Sequence, residues 1–286
     1  MIQSMTGFGK AFLQLPNKKI TVELKSLNSK GLDLNVRTPS IYREMELQIR
    51  NTIAQKLERG KIDFSLYIEV TGEETSAKIN VPIIKGYMNQ MREVLTNADE
   101  TELMKMAVRM PDALKTEREE LDKEEWKHIQ KVIEEALNSI DNFRTDEGAS
   151  LEKEFQLRIA NIRSYMEQAL VLDPERVQNI KDRLFTAIEE LKVNVDENRF
   201  EQELIYYLEK LDITEEKVRL TNHLDYFIET MNNDGGLGRK LGFITQEMGR
   251  EINTMGSKSN HAEMQKLVVM MKDELEKIKE QSLNVL

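Results

Sequence analysis

The chain of 286 residues exceeds the usual size of one domain, which predicts two domains or one domain with a helical extension. Hydrophobic residues form 40% and charged residues 32% of the sequence, a composition typical of folded, largely helical proteins. The absence of cysteine excludes disulfides and thiolate zinc sites, so any bound metal ion must have oxygen or imidazole ligands.

The net charge of −10 argues against indiscriminate binding to polyanions, but the charge is unevenly spread along the chain. Residues 1–70 carry 11 lysines and arginines against 7 acidic residues, a net charge of +4, which leaves −14 for the remainder. We therefore expect a polyanion to meet the amino-terminal region first. Ordinary surface variation would also account for +4, because no run of basic residues there is dense.

The first 16 residues lack the basic head and the apolar run of a secretion signal. No stretch of the sequence approaches the roughly 18 apolar residues that a membrane-spanning helix requires. We expect a soluble, cytoplasmic protein without a membrane partner.

The amino-terminal region has the pattern of a small mixed module. Residues 5–15 and 19–36 are rich in alternating and β-branched residues and predict a hairpin of two strands. Residues 41–57 carry apolar side chains at helical spacing, and Gly60 ends this pattern. Residues 61–70 alternate between apolar and polar, as a half-buried strand does. The sequence therefore predicts a ββαβ module.

Beyond Pro82 the pattern is almost entirely helical, with interruptions near residues 97–101, 110–111 and 232–238. Pro174 follows Asp173, and this pair is typical of a helix start, so two long helices should meet there. The fold class is therefore α+β, with the ββαβ module followed by long helical hairpins and a carboxyl-terminal helical bundle. We place the domains at residues 1–150, a helical connector at 151–198 and the carboxyl-terminal domain at 199–286.

The carboxyl-terminal domain should contain four helices joined by short polar links. Asp212 is positioned to cap the second of them, with Glu215 three residues further on. The four predicted helices cover residues 199–211, 214–231, 238–254 and 260–283.

The second of these helices carries Glu216, Arg219 and His223 on one face, beside its apolar stripe. An ion-pair network within the helix would explain this trio without any function. The alternative is a site for a metal ion and a phosphate group.

The third of these helices carries Glu247 and Glu251, four residues apart and therefore side by side. Two like charges at this spacing repel by a few tenths of a kcal/mol unless a cation lies between them. A hard divalent cation is the strongest such partner, and Arg250 is the alternative.

Two glycine-containing segments at helix starts could hold phosphate. Residues 235–240 combine glycines with Arg239 and Lys240, where free backbone amides favour an anion. Leu241 follows Lys240, which departs from the nucleotide-binding P-loop, and a hinge explains the glycines equally well. Lys258 lies in a second such segment, which a plain helix cap would also explain.

Short motifs occur in order at both ends of the chain. The amino-terminal motifs are residues 5–9 (MTGFG), 22–30 (VELKSLNSK) and 59–61 (RGK). The carboxyl-terminal motifs are residues 212–216, 219–220, 223–224, 238–241, 246–248, 250–251, 253–254 and 257–259. Together they resemble the YicC family over nearly the whole chain. Gly242 and Gly249 depart from the pattern, since the family usually has Asp and Asn at these positions. Residues 281–286 also differ from the glutamine-rich carboxyl terminus usual in the family.

The resemblance implies a divalent-metal-dependent endoribonuclease that forms a homo-oligomer, a hexamer, and holds RNA in a central cavity. The metal, Mg²⁺ or Mn²⁺, would bind oxygen atoms of Glu216, Glu247 and Glu251. Reaction chemistry would fall to His223, Glu247 and Glu251, with His223 assisting proton transfer. The side chains expected to neutralise phosphate charge are Arg219, Arg239, Lys240, Arg250 and Lys258.

Gly242 and Gly249 would weaken two helix positions and remove a supporting ligand, which would reduce the activity. Two other functions use the same residues. A non-catalytic RNA-binding adaptor would present RNA to another nuclease, and a purely structural protein would serve as an assembly scaffold.

Overall fold

The computed structural model describes most of the chain and has a small sheet followed by long helices, which confirms the α+β class expected from the sequence. Among the residues that it describes, no helix combines the length and the apolar composition that crossing a bilayer requires. The described residues are 2–71, 78–94, 99–115, 123–191, 197–233 and 237–286.

The amino-terminal sheet has four strands in the order β1-β2-β4-β3. Strands β1 (Gly7–Gln14) and β2 (Lys18–Leu27) form the predicted antiparallel hairpin. Strand β4 (Gly60–Val70) pairs antiparallel with β2, and β3 (Leu32–Arg37) lies parallel to β4 at the far edge. The helix between β3 and β4 carries the chain back to the start of the sheet, which makes their parallel pairing possible.

The prediction of a single strand over residues 19–36 is wrong, because β2 ends at Leu27 and β3 begins at Leu32 on the other side of β4. In both strands the more buried side chains are even-numbered, from Ile20 and Val22 to Leu34 and Val36. The alternation of buried and exposed side chains therefore keeps the same parity in β2 and β3, so it cannot reveal the break between the two strands.

The predicted helix after the strands is confirmed, although its first turn is tighter than an α-helix. Residues Ser40–Met45 form a 3₁₀ turn, and α1 follows at Glu46–Lys56. Ile49 and Ile53 are buried against the sheet. Gly60, at the start of β4, has φ of +124°, which a residue with a side chain rarely adopts.

A small helical unit follows the sheet and has a core of its own. That core consists of Ile84, Ala107 and Ala113 with partly buried neighbours. The unit contains β5 (Lys78–Ile79), α2 (Val81–Val94), α3 (Glu100–Ala107) and β6 (Leu114–Lys115). The predicted break at residues 97–101 falls partly outside the described residues, and α3 begins directly after its cap, Asp99.

Helix α4 (Lys123–Leu191) is one continuous helix of 69 residues. The prediction that two helices meet at Asp173 and Pro174 is therefore wrong. Proline removes one helical hydrogen bond and crowds the preceding turn, so neighbouring contacts must stabilise the helix there. Arg176 supplies them, since its Nε donates to Asp173 Oδ1 at 2.8 Å and its Nη1 donates to the carbonyl oxygen of Lys258 at 2.8 Å.

Both large hydrophobic cores use α4. Its first part packs on the sheet and α1 through residues that include Ile129 and Ile140. Its second part packs on the carboxyl-terminal helices through residues that include Phe155 and Ile162. The helix therefore runs straight through residue 150, where we placed the end of the first domain.

The four predicted carboxyl-terminal helices are confirmed, with ends within a few residues of the expected positions. The predicted capping by Asp212 is wrong: Ile213 precedes the second of these helices, and Asp212 Oδ1 accepts a hydrogen bond from Thr214 Oγ1 instead. The helices are α5 (Glu197–Leu211), α6 (Thr214–Met231), α7 (Leu237–Lys258) and α8 (Ala262–Ser282).

Helix α8 is joined to α4 by a nearly buried carboxylate. Glu274 Oε1 accepts a hydrogen bond from Lys277 at 2.7 Å, and Oε2 accepts from Asn161 at 3.1 Å and from Arg158 at 3.2 Å. Burial raises the pKa of the Glu274 carboxyl, but these three hydrogen bonds together outweigh it and hold the pKa below its usual value.

Substitution Glu274→Gln should lower the free energy of unfolding by about 2 kcal/mol at pH 7, because hydrogen bonds to a buried charge are lost. Folding lowers the pKa of the Glu274 carboxyl. Its contribution to the free energy of unfolding is therefore complete above the unfolded pKa of about 4.3, and it is lost as the pH falls through the lower pKa of the folded state. Thermal unfolding between pH 3 and pH 7 measures this. The stability gap between wild type and variant should close in acid, and a pH-independent gap would contradict the assignment. Glu276→Gln, in an exposed pair with Lys279, is the control.

Candidate functional site

Helices α6 and α7 form an antiparallel hairpin, and the site residues predicted from the sequence lie along its polar border. The buried face of α6 contains Leu220, Leu224 and Phe227, as the apolar stripe predicted. The buried face of α7 contains Leu241, Ile244, Met248, Ile252 and Met255. The packed apolar faces of α6 and α7 therefore fix the positions of the polar side chains along their border.

At one end of this border the buried carboxylate of Glu216 forms an ion pair with the half-buried Lys258. Glu216 is 5% exposed, and its Oε1 accepts a hydrogen bond from Lys258 Nζ at 2.7 Å. The same ammonium group donates to the carbonyl oxygen of Asp212 at 2.8 Å. In the described part of the chain, Glu216 Oε2 is buried and has no hydrogen-bond partner. One oxygen of this carboxylate therefore keeps its full capacity to accept a bond.

One turn further along α6, Arg219 lies between two carboxylates. It forms an ion pair with Glu215 on its own helix, and its Nη1 lies 3.9 Å from Glu251 Oε1 on α7. Glu251 is 8% exposed, whereas more than half of the Arg219 side chain is accessible to solvent. An anion can therefore reach the guanidinium group without unfolding any helix.

His223 and Glu247 occupy the next level of the hairpin. His223 is one turn after Arg219 on α6, and Glu247 is one turn before Glu251 on α7, so antiparallel packing places the two residues at the same level of the hairpin. His223 is half-buried. Arg250 Nη1 lies 2.7 Å from Glu247 Oε1 on the same helix, which is the arginine alternative that the sequence left open.

The remaining predicted phosphate ligands lie at the opposite end of α7. Lys240 Nζ is 4.6 Å from the centre of the Tyr226 ring, and Arg239 is exposed beside it. Lys240 and Lys258 are about 27 Å apart along the helix, at 1.5 Å per residue. The basic residues therefore form an extended strip rather than one pocket. Residues 235 and 236 of the glycine-rich segment lie outside the described residues.

The candidate metal ligands do not form a ready-made cage within one chain. Across the described ranges, no three acidic or histidine side chains come close enough together to hold a metal ion. A cation already lies beside each of the three glutamates: Lys258 beside Glu216, Arg250 beside Glu247, and Arg219 near Glu251. In this arrangement the described part of a single chain therefore offers no preformed site for a divalent ion, which would bind only after carboxylates leave their present cations, and the metal site stays a prediction.

Sequence reasoning missed Arg176, which is 2% exposed and fixes the position of the Lys258 backbone from α4. The two residues are 82 positions apart in the chain, so no local spacing indicates their contact. The sequence feature that indicates a role for Arg176 is Asp173, three residues earlier on the same helix, because opposite charges at this spacing pair. The two side chains lie 2.7 Å apart.

Comparison with known proteins covers both halves of the chain. Residues 2–153 match the family Endoribonuclease YicC-like, N-terminal region, and residues 170–286 match Endoribonuclease YicC-like, C-terminal. The chain belongs to the YicC-like family. Two relatives named "Probable endoribonuclease YicC" align over their full length and the full length of this chain. The relative from Clostridioides difficile (strain 630) is 33% identical, and the relative from Haemophilus influenzae (strain ATCC 51907 / DSM 11121 / KW20 / Rd) is 29% identical.

The two departures from the family pattern lie in different surroundings on α7. A side chain at Gly242 would extend into open space, so the aspartate usual in the family has room there. At Gly249 a Cβ atom would lie 3.4 Å from Leu275 Cδ2, which is an ordinary packing contact. Neither glycine is required by the backbone, so their effect on activity stays a prediction.

Substitution Lys258→Met should lower the free energy of unfolding by about 3 kcal/mol, because it leaves the buried Glu216 carboxylate without its cation. Adding Glu216→Gln should recover part of this loss, since the uncompensated charge is then removed as well. Urea denaturation of the single and double variants gives both values. Lys266→Met, which removes an exposed pair with Glu263, should cost less than 1 kcal/mol. Equal losses for the two lysine variants would show that the buried Glu216 carboxylate does not depend on Lys258.

Proposed function

We propose that this chain is an endoribonuclease that hydrolyses phosphodiester bonds inside RNA. The name shared by its two full-length relatives supports this activity. The observation that carries the proposal for this chain is the border of the α6–α7 hairpin. There Arg219 and Glu251 meet across the two helices, and His223 and Glu247 occupy the next level.

Hydrolysis joins a water oxygen to phosphorus and breaks the bond from phosphorus to one ester oxygen. One proton must leave the water, and one must reach the departing oxygen. An imidazole can perform both transfers near neutral pH. His223 is half-buried on the same border as Arg219, so part of its ring is accessible to a bound strand. We assign it the proton transfer.

Arginine side chains on the same border are suited to the charge of the reacting phosphate. Arg219 and Arg250 are exposed, and a guanidinium group can donate two parallel hydrogen bonds to phosphate oxygens. Arg239 and Lys240, farther along α7, would hold phosphates that lie farther along the strand. An extended strip suits a polymer better than it suits a small metabolite.

The divalent ion is a separate proposal that rests on the family resemblance. We propose that Mg²⁺ or Mn²⁺ would bind through Glu216, Glu247 and Glu251, and the unpartnered Oε2 of Glu216 is the feature that favours it. The other two carboxylates would have to exchange their present arginine neighbours for the ion. Cleavage in excess chelator, with and without added Mn²⁺, decides this independently of the nuclease proposal.

Substitution of Glu247 or Glu251 by Gln should lower the cleavage rate by at least about 100-fold, because each removes a negative charge from the border that carries the proposed proton-transfer residue. Affinity for RNA should stay within about twofold, since the exposed cations remain. A fluorescent RNA assay with highly purified full-length protein measures cleavage, and a gel shift measures binding.

The matched control is Glu263→Gln, which removes the acidic partner of Lys266 at the same i,i+3 spacing on α8. Its cleavage rate should equal that of the wild type. Unchanged cleavage by both Glu247→Gln and Glu251→Gln would remove these residues from the reaction. A gel shift without any new RNA ends would establish the adaptor function instead, and failure to bind RNA at any salt concentration would favour the scaffold.

We infer that the protein works as a homo-oligomer, a hexamer with RNA in a central cavity. Helix α5 supports self-association, because none of its described side chains is buried although Ile205, Tyr206 and Tyr207 are large and apolar. Light scattering should give six chain masses for the wild type. Ile205→Glu should lower that mass, and Val269→Glu on α8 should not. A monomeric wild type would contradict the inference.

A further inference from the structure

The sheet has one face that nothing in the described part of the chain covers. Gly9 and Ala11 of β1 face α4, which packs so closely that a Cβ atom on Gly9 would lie 2.3 Å from the carbonyl oxygen of Ala136. Their neighbours Phe8 and Phe12 point to the opposite side because side chains alternate along a strand. The glycines of this segment are therefore explained by helix packing, whereas the phenylalanines are not.

Aromatic side chains are unusually accessible on this outer side. Phe8 is 39% exposed, Phe12 is 61% exposed, and Tyr67 on β4 is 49% exposed. In the strand register, Phe12 is opposite Thr21, which is opposite Tyr67, so a small side chain separates two rings about 10 Å apart. Phe8 and Phe12 are about 14 Å apart along β1. The rings are spaced widely enough for several separate planar groups.

Lysines accompany these rings. Lys19 Nζ lies 5.5 Å from the centre of the Phe12 ring, and Lys25 Nζ lies 6.0 Å from that of Phe8. These distances are at the outer limit of a cation–π interaction, so each ammonium group can move to a nearby anion while leaving the ring face accessible. On the outer side of β1 and β2, the charged residues are Lys10, Lys19, Lys25 and Glu23.

We propose that the outer side of β1 and β2, with Tyr67 beside it, binds single-stranded RNA. The open sheet face, as we call this surface, consists of Phe8, Phe12, Tyr67, Lys10, Lys19 and Lys25. Bases would stack on the exposed rings, and the lysines would contact the phosphates between them. The proposal takes from the proposed function only the identity of the polymer, RNA.

Exposed rings with lysines beside them favour a nucleic acid over a second copy of this chain as the occupant. On the outer side of β1, β2 and β4 the charged residues are Lys10, Lys19, Lys25 and Lys61 against Glu23, Asp63 and Glu69, so positive charge exceeds negative charge by one. A duplex hides its bases within the stack, whereas a single strand can place them on aromatic rings.

Phe12→Ala should weaken binding of a fluorescein-labelled 12-nucleotide single-stranded RNA by about 5- to 100-fold, which is the usual contribution of one stacked base. Fluorescence anisotropy of the full chain in chelator measures this without cleavage. Phe12→Tyr should bind like the wild type and Phe12→Leu like Phe12→Ala, because stacking requires a ring. Binding of the matching duplex should change less than twofold.

Phe143→Ala is the matched control, since Phe143 is 45% exposed on α4 and lies outside the open sheet face. Lys25→Ala should reduce the slope of log affinity against log salt by about 0.7, because one fewer counterion is released. Full affinity in Phe12→Leu, or in Phe8→Ala and Phe12→Ala alike, would overturn the proposal. So would a lower mass in solution for Phe12→Ala, which would identify the face as an interface between copies.

The outcome is separable from that of the nuclease proposal. If the wild type binds the strand through these rings but never cleaves RNA, the nuclease proposal fails and the open sheet face stands. If Phe12→Ala cleaves and binds RNA with the wild-type rate and affinity, the nuclease proposal stands and the open sheet face is overturned.

Discussion

Helix α4 forms one wall of both large hydrophobic cores, so the rest of the structure depends on its remaining helical over all 69 residues. Two buried arginines on this helix attach distant segments to it. Arg144 Nη2 donates to Ser26 Oγ and to the carbonyl oxygen of Met5, which holds the first strands of the sheet. Arg176 binds the end of α7 in the same manner. Carbonyl oxygens accept hydrogen bonds from both guanidinium groups, and Arg176 has the Asp173 carboxylate as a further partner, so both buried cations have hydrogen-bond acceptors.

The pattern of apolar residues predicted most helices and strands because each has one buried face with its own period. It could not predict the break between Leu27 and Leu32, because burial keeps the same parity on both sides of it. It also could not predict that α4 continues through Pro174. That outcome depends on Arg176 and its bond to a residue 82 positions away, which is tertiary information.

The part of the candidate site that depends on spacing within one helix was predictable from the sequence. Spacing along single helices placed Glu216, Arg219 and His223 on one face, and Glu247 beside Arg250. Spacing could not show which residues meet across the hairpin, such as Glu216 with Lys258, since pairing depends on the relative register of two helices. The comparisons identify the family, while the pairing of each carboxylate with a cation is visible only in the fold.

The length of α4 has a consequence for how the protein behaves in solution. At 1.5 Å per residue the helix is about 100 Å long, whereas a compact chain of this size would be about 50 Å across. Even with a bend at Pro174, such a rod increases friction and slows tumbling. Elution volume in gel filtration would therefore overstate the mass of the single chain. A method that depends on mass rather than on shape is needed to count the subunits.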